Sequence, residues 1–240
     1  MSTSSLLIQP RVFHIPVNRR RFLQSMAIAT AGFTARGALA EALTLTPQVT
    51  EGPYYPDRLP LDQDNDLLII GDSLTRAVGQ ITHVRGRVLD HKGDPIRNAL
   101  VELWQADTKG TYIHSRGANG GTRDANFQGY GKFLTASDGA YKFRTVKAGL
   151  YMGRTRHLHF GVTLPGRSRF TTQLFWREFP KMEDRTPWPI TNARDSVLSG
   201  IQDAAQRASI IRTFNPVATS VLGEEETTWD IVMGHTPTDR

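Results

Sequence analysis

From about Thr46 onward, apolar residues gather in short runs parted by glycine, proline, asparagine and aspartate, the spacing of many brief strands and polar turns. Residues 84–90 alternate loosely and run into His91-Lys92-Gly93-Asp94-Pro95, a turn built on glycine and proline. Residues 99–105 are apolar enough for a largely buried strand. Asp138-Gly139 joins Phe133-Leu134 to the alternating stretch 141–146, a hairpin pattern. Further strands are expected at 157–163, 170–176 and 228–233. Only residues 195–211 read as a helix, with Val197, Ile201, Ala204, Ala205 and Ala208 spaced by three or four. The plan is all-β: a β-sandwich of mixed short strands with one peripheral helix and long active-site loops. The longest of these, residues 108–128, is rich in glycine, asparagine, aspartate and arginine, and long loops in compact domains commonly carry function.

The first forty residues follow a different pattern. Arg19-Arg20-Arg21-Phe22-Leu23 precedes an apolar run from Met26 to Phe33, and Ala38-Leu39-Ala40 closes it with a small-x-small step. That is the layout of an export signal, with paired arginines of the twin-arginine kind. The run is too short and too rich in glycine and threonine for a membrane anchor. Residues 1–40 are therefore read as a signal peptide, residues 41–240 as one domain, and the location as periplasmic or secreted. Charge changes with that division. The chain has net charge +6, but residues 1–40 hold five arginines and no acid, leaving 24 basic and 23 acidic side chains beyond them. A nearly neutral domain gives no support for nucleic-acid or anionic-membrane binding. Cysteine is absent, which excludes disulfides, thiolate metal sites and cysteine nucleophiles.

The chemistry concentrates in residues 151–159. His157 and His159 stand at i and i+2 of an expected strand, so both imidazoles face one side while Leu158 faces the other. Singly, Tyr112 and Tyr151 read as half-buried packing residues. Only five residues separate Tyr151 from His157, however, and Gly153 among them lets the chain turn the phenol back over the imidazoles. Imidazole suits several first-row metals, whereas phenolate is a hard anionic donor that favours a trivalent ion. Together the set points to iron(III) rather than zinc.

Several segments resemble the intradiol ring-cleavage dioxygenases, nearest the protocatechuate 3,4-dioxygenase type: Gly86 to Asp90, Asn98 to Asp107, Gly110-Thr111-Tyr112, Phe133 to Phe143, Gly149-Leu150-Tyr151 and His157-Leu158-His159-Phe160. Thr50 to Tyr55 is similar to the stretch that approaches that family's active site, so the resemblance spans nearly all of the chain after the signal. It implies that Tyr112, Tyr151, His157 and His159 bind one non-haem Fe(3+) per chain, with Tyr151 the axial tyrosine that leaves when substrate chelates. It implies that Arg154 and Gln173 act beside the bound ring and that Tyr54 lines the pocket. The implied reaction opens a catechol-type ring with O2 between its two hydroxylated carbons, giving a muconate-type diacid. Catechol, protocatechuate, hydroxyquinol or another diol all fit.

The chain departs from the pattern in two places. Its Tyr151 to His157 link is shorter than in the family's better-known enzymes, which implies a more open pocket. It lacks the long helical dimerisation segment of the catechol and hydroxyquinol types, and it carries the Gly-Pro-Tyr stretch and all four ligands together, so a homo-oligomer or a monomer would suffice. Two other readings compete. A non-catalytic transthyretin-like β-sandwich binding module shares the strand pattern but has no use for the ligand set. A divalent-metal cupin or zinc hydrolase would need a carboxylate or third histidine beside His157 and His159. Elsewhere, His83, His91, His114 and His235 read as loop or surface histidines, with His114 near enough to Tyr112 to bond it. Glu224-Glu225-Glu226 reads as a solvated charge run, and Trp104 and Trp229 as core.

Overall fold

The computed structural model describes residues 43–117, 122–151, 153–177 and 191–234. Residues 1–40, read from the sequence as a signal peptide, and His235 lie outside these. Among the described residues ten strands form two five-stranded sheets: β1 (Ile81–Leu89), β2 (Leu100–Trp104), β3 (Tyr130–Leu134), β4 (Ala140–Val146), β5 (His157–Thr163), β6 (Phe170–Trp176), β7 (Ile211–Arg212), β8 (Asn215–Pro216), β9 (Glu225–Thr228) and β10 (Ile231–Val232). In the first sheet β1 is flanked by β4 on one side and by β9 and β10 on the other, with β8 beyond β9. The second sheet runs β3-β2-β5-β6-β7.

Period-two alternation sends one face of each sheet inward. Val84 and Phe143 from the first sheet meet Val101, Leu103, Leu158, Phe160 and Val162 from the second in one core, where Phe160 packs edge-on against Trp229. The expected β-sandwich is what the chain forms, and Trp229 is core, as its setting in an apolar strand implied. β5 is central and buried along nearly its whole length, so its outward residues face a covered surface rather than solvent.

Three local expectations change. Phe133-Leu134 and residues 141–146 do not form a hairpin: β3 pairs with β2 and β4 pairs with β1, so the Asp138-Gly139 turn crosses from one sheet to the other. Gly139 has φ +68°, and a Cβ there would press on the Val88 carbonyl, so the crossover is held close to β1. The strand expected at 228–233 breaks at Trp229-Asp230, where the Trp229 carbonyl accepts from Tyr141 Oη (2.6 Å) and Asp230 accepts from Arg87 N (2.8 Å). The helix expected over 195–211 is two short ones, α1 (Ser196–Gly200) and α2 (Ala204–Ser209), after a 3-10 turn at Asn192–Arg194. Asp203 divides them, because its carboxylate caps α2 by accepting from Ala205 N and Gln206 N.

Glu225 also departs from the solvated reading of its acidic run. It is buried at 4% exposure and accepts from Thr82 Oγ1 (2.9 Å) and Trp176 Nε1 (2.9 Å), while Glu224 and Glu226 pair with His83 and Arg85 at the surface. β9 alternates, so its middle glutamate alone turns inward.

Candidate metal centre

The outward face of the second sheet carries an ordered row: Trp104 on β2 stands opposite His159 on β5, and His159 opposite Gln173 on β6. His157 stands opposite Phe175 in the next row of that face. Both imidazoles are buried, and Trp104 stacks on His159 with ring centroids 5.1 Å apart. Leu158 points into the sandwich core, as the alternation required.

Two loops bring phenols to this face. Tyr112, on the long β2–β3 connection, is 2% exposed and its Oη lies 3.0 Å from His159 Nε2. That connection turns back on Asp107, whose carboxylate accepts from Lys109 N, Thr111 N and Asp124 N. Tyr151 is less buried, and its Oη lies 3.1 Å from His157 Nε2. Gly153, with φ +77°, turns the five-residue link so that Arg154 N donates to the Tyr151 carbonyl. The two Nε2 atoms are 3.1 Å apart, so four donor atoms converge on one place.

Protonation follows from burial. His157 Nδ1 lies 2.6 Å from the Thr155 carbonyl and donates to it, which leaves Nε2 as a lone pair facing the site. Burial pulls the His157 pKa down to about 3 and holds His159 well below the usual imidazole value, with the Arg154 charge adding to both. Neutral imidazoles are the form that binds metal. Burial also raises the phenols, Tyr112 well above 10, so without a cation neither would ionise near neutrality. A bound cation reverses that, since its own charge favours the phenolate. Two neutral nitrogens and two hard oxygens, with no carboxylate among the described residues joining them, fit a trivalent ion. Among the described residues no group of three or more histidine, cysteine, aspartate or glutamate side chains is brought together. The arrangement a divalent cupin or zinc hydrolase requires is therefore not built there.

Arg154 and Gln173 lie together beside the donors. Arg154 Nη2 donates to Gln173 Oε1 (2.7 Å), and Gln173 Nε2 donates to the Thr50 carbonyl (2.9 Å). Tyr54 stacks on Tyr112 with centroids 5.1 Å apart and meets Tyr151 edge-on at 5.9 Å. All seven residues expected at the site are thus brought to one place. His114 does not bond Tyr112. Its Nδ1 accepts from Arg116 N, and its ring meets the edge of Tyr54.

Two supports were not anticipated. Glu102, buried on β2 two residues before Trp104, accepts from Tyr55 Oη and Tyr130 Oη, both at 2.8 Å. Arg169 lies 4.1 Å over the Tyr55 ring and pairs with Glu51 and Glu102. A Cβ at Gly161 would meet Arg169, so glycine there opens the path for its side chain. This clamp ties the 51–55 stretch to the sheet, with Gly52 against His159 and Tyr54 over Tyr112. The second support is Asp195, which accepts from Arg154 Nε at 2.9 Å. Its helix-start position was legible, but its partner lies 41 residues earlier.

Residues 50–234 match the model of the family described as Dioxygenase. The chain is 34% identical over 196 residues to the protocatechuate 3,4-dioxygenase beta chain of Burkholderia cepacia, covering 75% of this chain and 76% of that one. The chain belongs to the intradiol ring-cleavage dioxygenases. As a member it is an enzyme that opens a dihydroxylated aromatic ring between its two hydroxyl-bearing carbons. The dioxygenase domain of a dioxygenase carbohydrate-binding protein fusion from Streptomyces sp. SirexAA-E is 27% identical, with a TM-score of 0.55 over 80% of this chain and 100% of that one. An intradiol ring-cleavage dioxygenase from Tetranychus urticae shares the fold at 21% identity, with a TM-score of 0.60 over 80% and 95% of the two chains. The chain spans about half the length of the catechol and hydroxyquinol 1,2-dioxygenase relatives it also matches.

Proposed function

We propose that this intradiol dioxygenase holds one iron(III) between Tyr112, Tyr151, His157 and His159 and cleaves a catechol-type diol with O2 to a muconate-type diacid. The observation that carries this is the convergence of the two phenol oxygens and two imidazole nitrogens, each within 3.0–3.1 Å of a neighbour. When bound, iron(III) supplies positive charge that favours both phenolates and the doubly deprotonated diol, which makes the ring electron-rich toward O2.

The chain's own groups then divide the work. Tyr151, the less buried phenol, accepts a proton from a substrate hydroxyl at its Oη. Tyr112, enclosed between Tyr54 and His159, stays in place. Arg154 has two N–H groups on Nη1 unused among the described residues, and they meet negative charge developing on the ring. Gln173 holds the other nitrogen of that guanidinium. Tyr54 packs against the ring, and Trp104 and Phe175 close the backs of the two imidazoles against water.

The short link from Tyr151 to His157 supports tolerance of ring substituents, with catechol, 4-substituted catechols and hydroxyquinol as substrates. One chain supplies every proposed ligand, so a monomer or homo-oligomer suffices. Export of residues 41–240 to the periplasm or outside the cell is supported by the twin-arginine stretch, the apolar run and Ala38-Leu39-Ala40. The test of the reaction is product analysis with a catechol panel under isotopically labelled O2. A muconate diacid carrying both oxygen atoms is expected. A yellow hydroxymuconic semialdehyde, from cleavage beside the diol, would contradict the proposal.

A further inference from the structure

Asp195 is fully buried and accepts from five donors: Arg154 Nε (2.9 Å) and Nη2 (3.4 Å), and the backbone N–H groups of Thr155 (3.0 Å), Val197 (3.0 Å) and Leu198 (3.3 Å). The last two are ordinary capping bonds for α1. Asp203 makes the same kind of pair for α2, to Ala205 N (2.8 Å) and Gln206 N (3.0 Å), and does so at the exposed surface. Capping therefore needs neither burial nor the other three bonds.

Those three bonds reach the segment between Tyr151 and His157. Oδ2 accepts from Arg154 Nε and Oδ1 from Arg154 Nη2, and with Gln173 they fix the plane of the guanidinium so that Nη1 keeps its donors unspent. Oδ2 also accepts from Thr155 N, and the carbonyl of that same Thr155 accepts from His157 Nδ1. Thr155 Oγ1 donates to Asn192 Oδ1, and Asn192 Nδ2 donates to the Trp176 carbonyl, so the turn that carries Asp195 is itself pinned to β6.

We propose that Asp195 is a positioning residue for ring cleavage, aiming the Arg154 guanidinium at the bound diol and steadying the Thr155 carbonyl that orients His157. It acts through Arg154 and Thr155 and does not touch the ring. This rests on the reading that the four donors hold iron and bind a catecholate beside Arg154.

The test uses the full-length, iron-loaded enzyme as wild type, Asp195→Asn, Asp203→Asn, Arg154→Ala and the Arg154→Ala/Asp195→Asn double variant. Iron per chain, urea midpoint, kcat and KM for catechol, and anaerobic catechol binding by visible titration are measured on each. Asp195→Asn should keep its iron and lose about 100-fold in kcat with little change in KM. Asp203→Asn, which disturbs only a cap, should keep wild-type kcat. The double variant should lose far less than the product of the two single losses, since the Arg154 contacts are already gone, and any drop beyond Arg154→Ala alone reports the Thr155 contact. Asp195→Ser retains a capping oxygen and should show the same loss as Asp195→Asn, so a poorly folding asparagine variant leaves the question answerable. The proposal is overturned if Asp195→Asn or Asp195→Ser keeps kcat within about twofold of wild type, if the losses at 154 and 195 multiply, or if turnover falls only in proportion to lost iron. A wild type that binds neither iron nor catechol overturns the underlying reading as well, and does so before any variant is compared.

Discussion

Nε2 of His157 and Nε2 of His159 face each other at 3.1 Å in a buried space, each with a phenol oxygen at hydrogen-bond distance. Only one proton fits between two such nitrogens, and burial keeps both rings neutral. A cation satisfies all four donors at once. Replacing either histidine by alanine should therefore abolish iron retention, measured as metal content after dialysis, while leaving the far-ultraviolet dichroism of the sandwich intact. A histidine variant that keeps stoichiometric iron would remove that residue from the ligand set.

The two tyrosines differ in enclosure, and their variants should differ in kind. Tyr112→Phe deletes a phenol sealed beneath Tyr54 and should weaken both the visible absorption and turnover. Tyr151→Phe deletes the more exposed phenol and should spare more iron while slowing loss of the substrate proton, seen as a larger fall in kcat than in iron content. Identical behaviour of the two would contradict the division of roles.

Much of this site is visible in the sequence because it is local. The His-x-His pair shares a face by strand geometry alone, and Gly153 beside Tyr151 marks the turn between them. What is hidden depends on partners far along the chain. Asp195 looks like a helix cap and is one, but its bond to Arg154 needs the fold. Glu225 is flanked by glutamates that remain at the surface, and the Thr82 and Trp176 groups that make its burial tolerable come from other strands. The Asp138-Gly139 step is a sound turn, yet nothing local states that its two strands join different sheets. Period-two patterns give the face of a strand and not its neighbour.

The Glu102 clamp holds the segment that carries Tyr54, so loosening it should reach the pocket from outside. Tyr55→Phe removes a hydrogen bond to a buried carboxylate and should cost about 1.5 kcal/mol of stability in urea unfolding. KM for catechol should rise with it, because Tyr54 is the next residue. An unchanged KM would show that Tyr54 holds its place without the clamp.

Alkaline stability gives a check away from the metal. Burial raises the Tyr141 phenol well above 10, and it donates to the Trp229 carbonyl. Its folded value lies above its unfolded one, so its stabilising contribution is complete below about pH 10 and declines as pH rises beyond that, where the unfolded chain ionises first. Tyr141→Phe should be less stable than wild type by about 1 kcal/mol at pH 8. The gap should narrow above pH 10 in urea midpoints taken across that range. A gap constant with pH would mean that Tyr141 does not contribute to alkaline unfolding.

The central claim is the ligand set, and metal analysis joined to a visible spectrum of the purified protein tests it most directly. The expected result is about one iron per chain with a phenolate-to-iron(III) charge-transfer band that is weakened in Tyr112→Phe. Stoichiometric zinc in a colourless protein would contradict it.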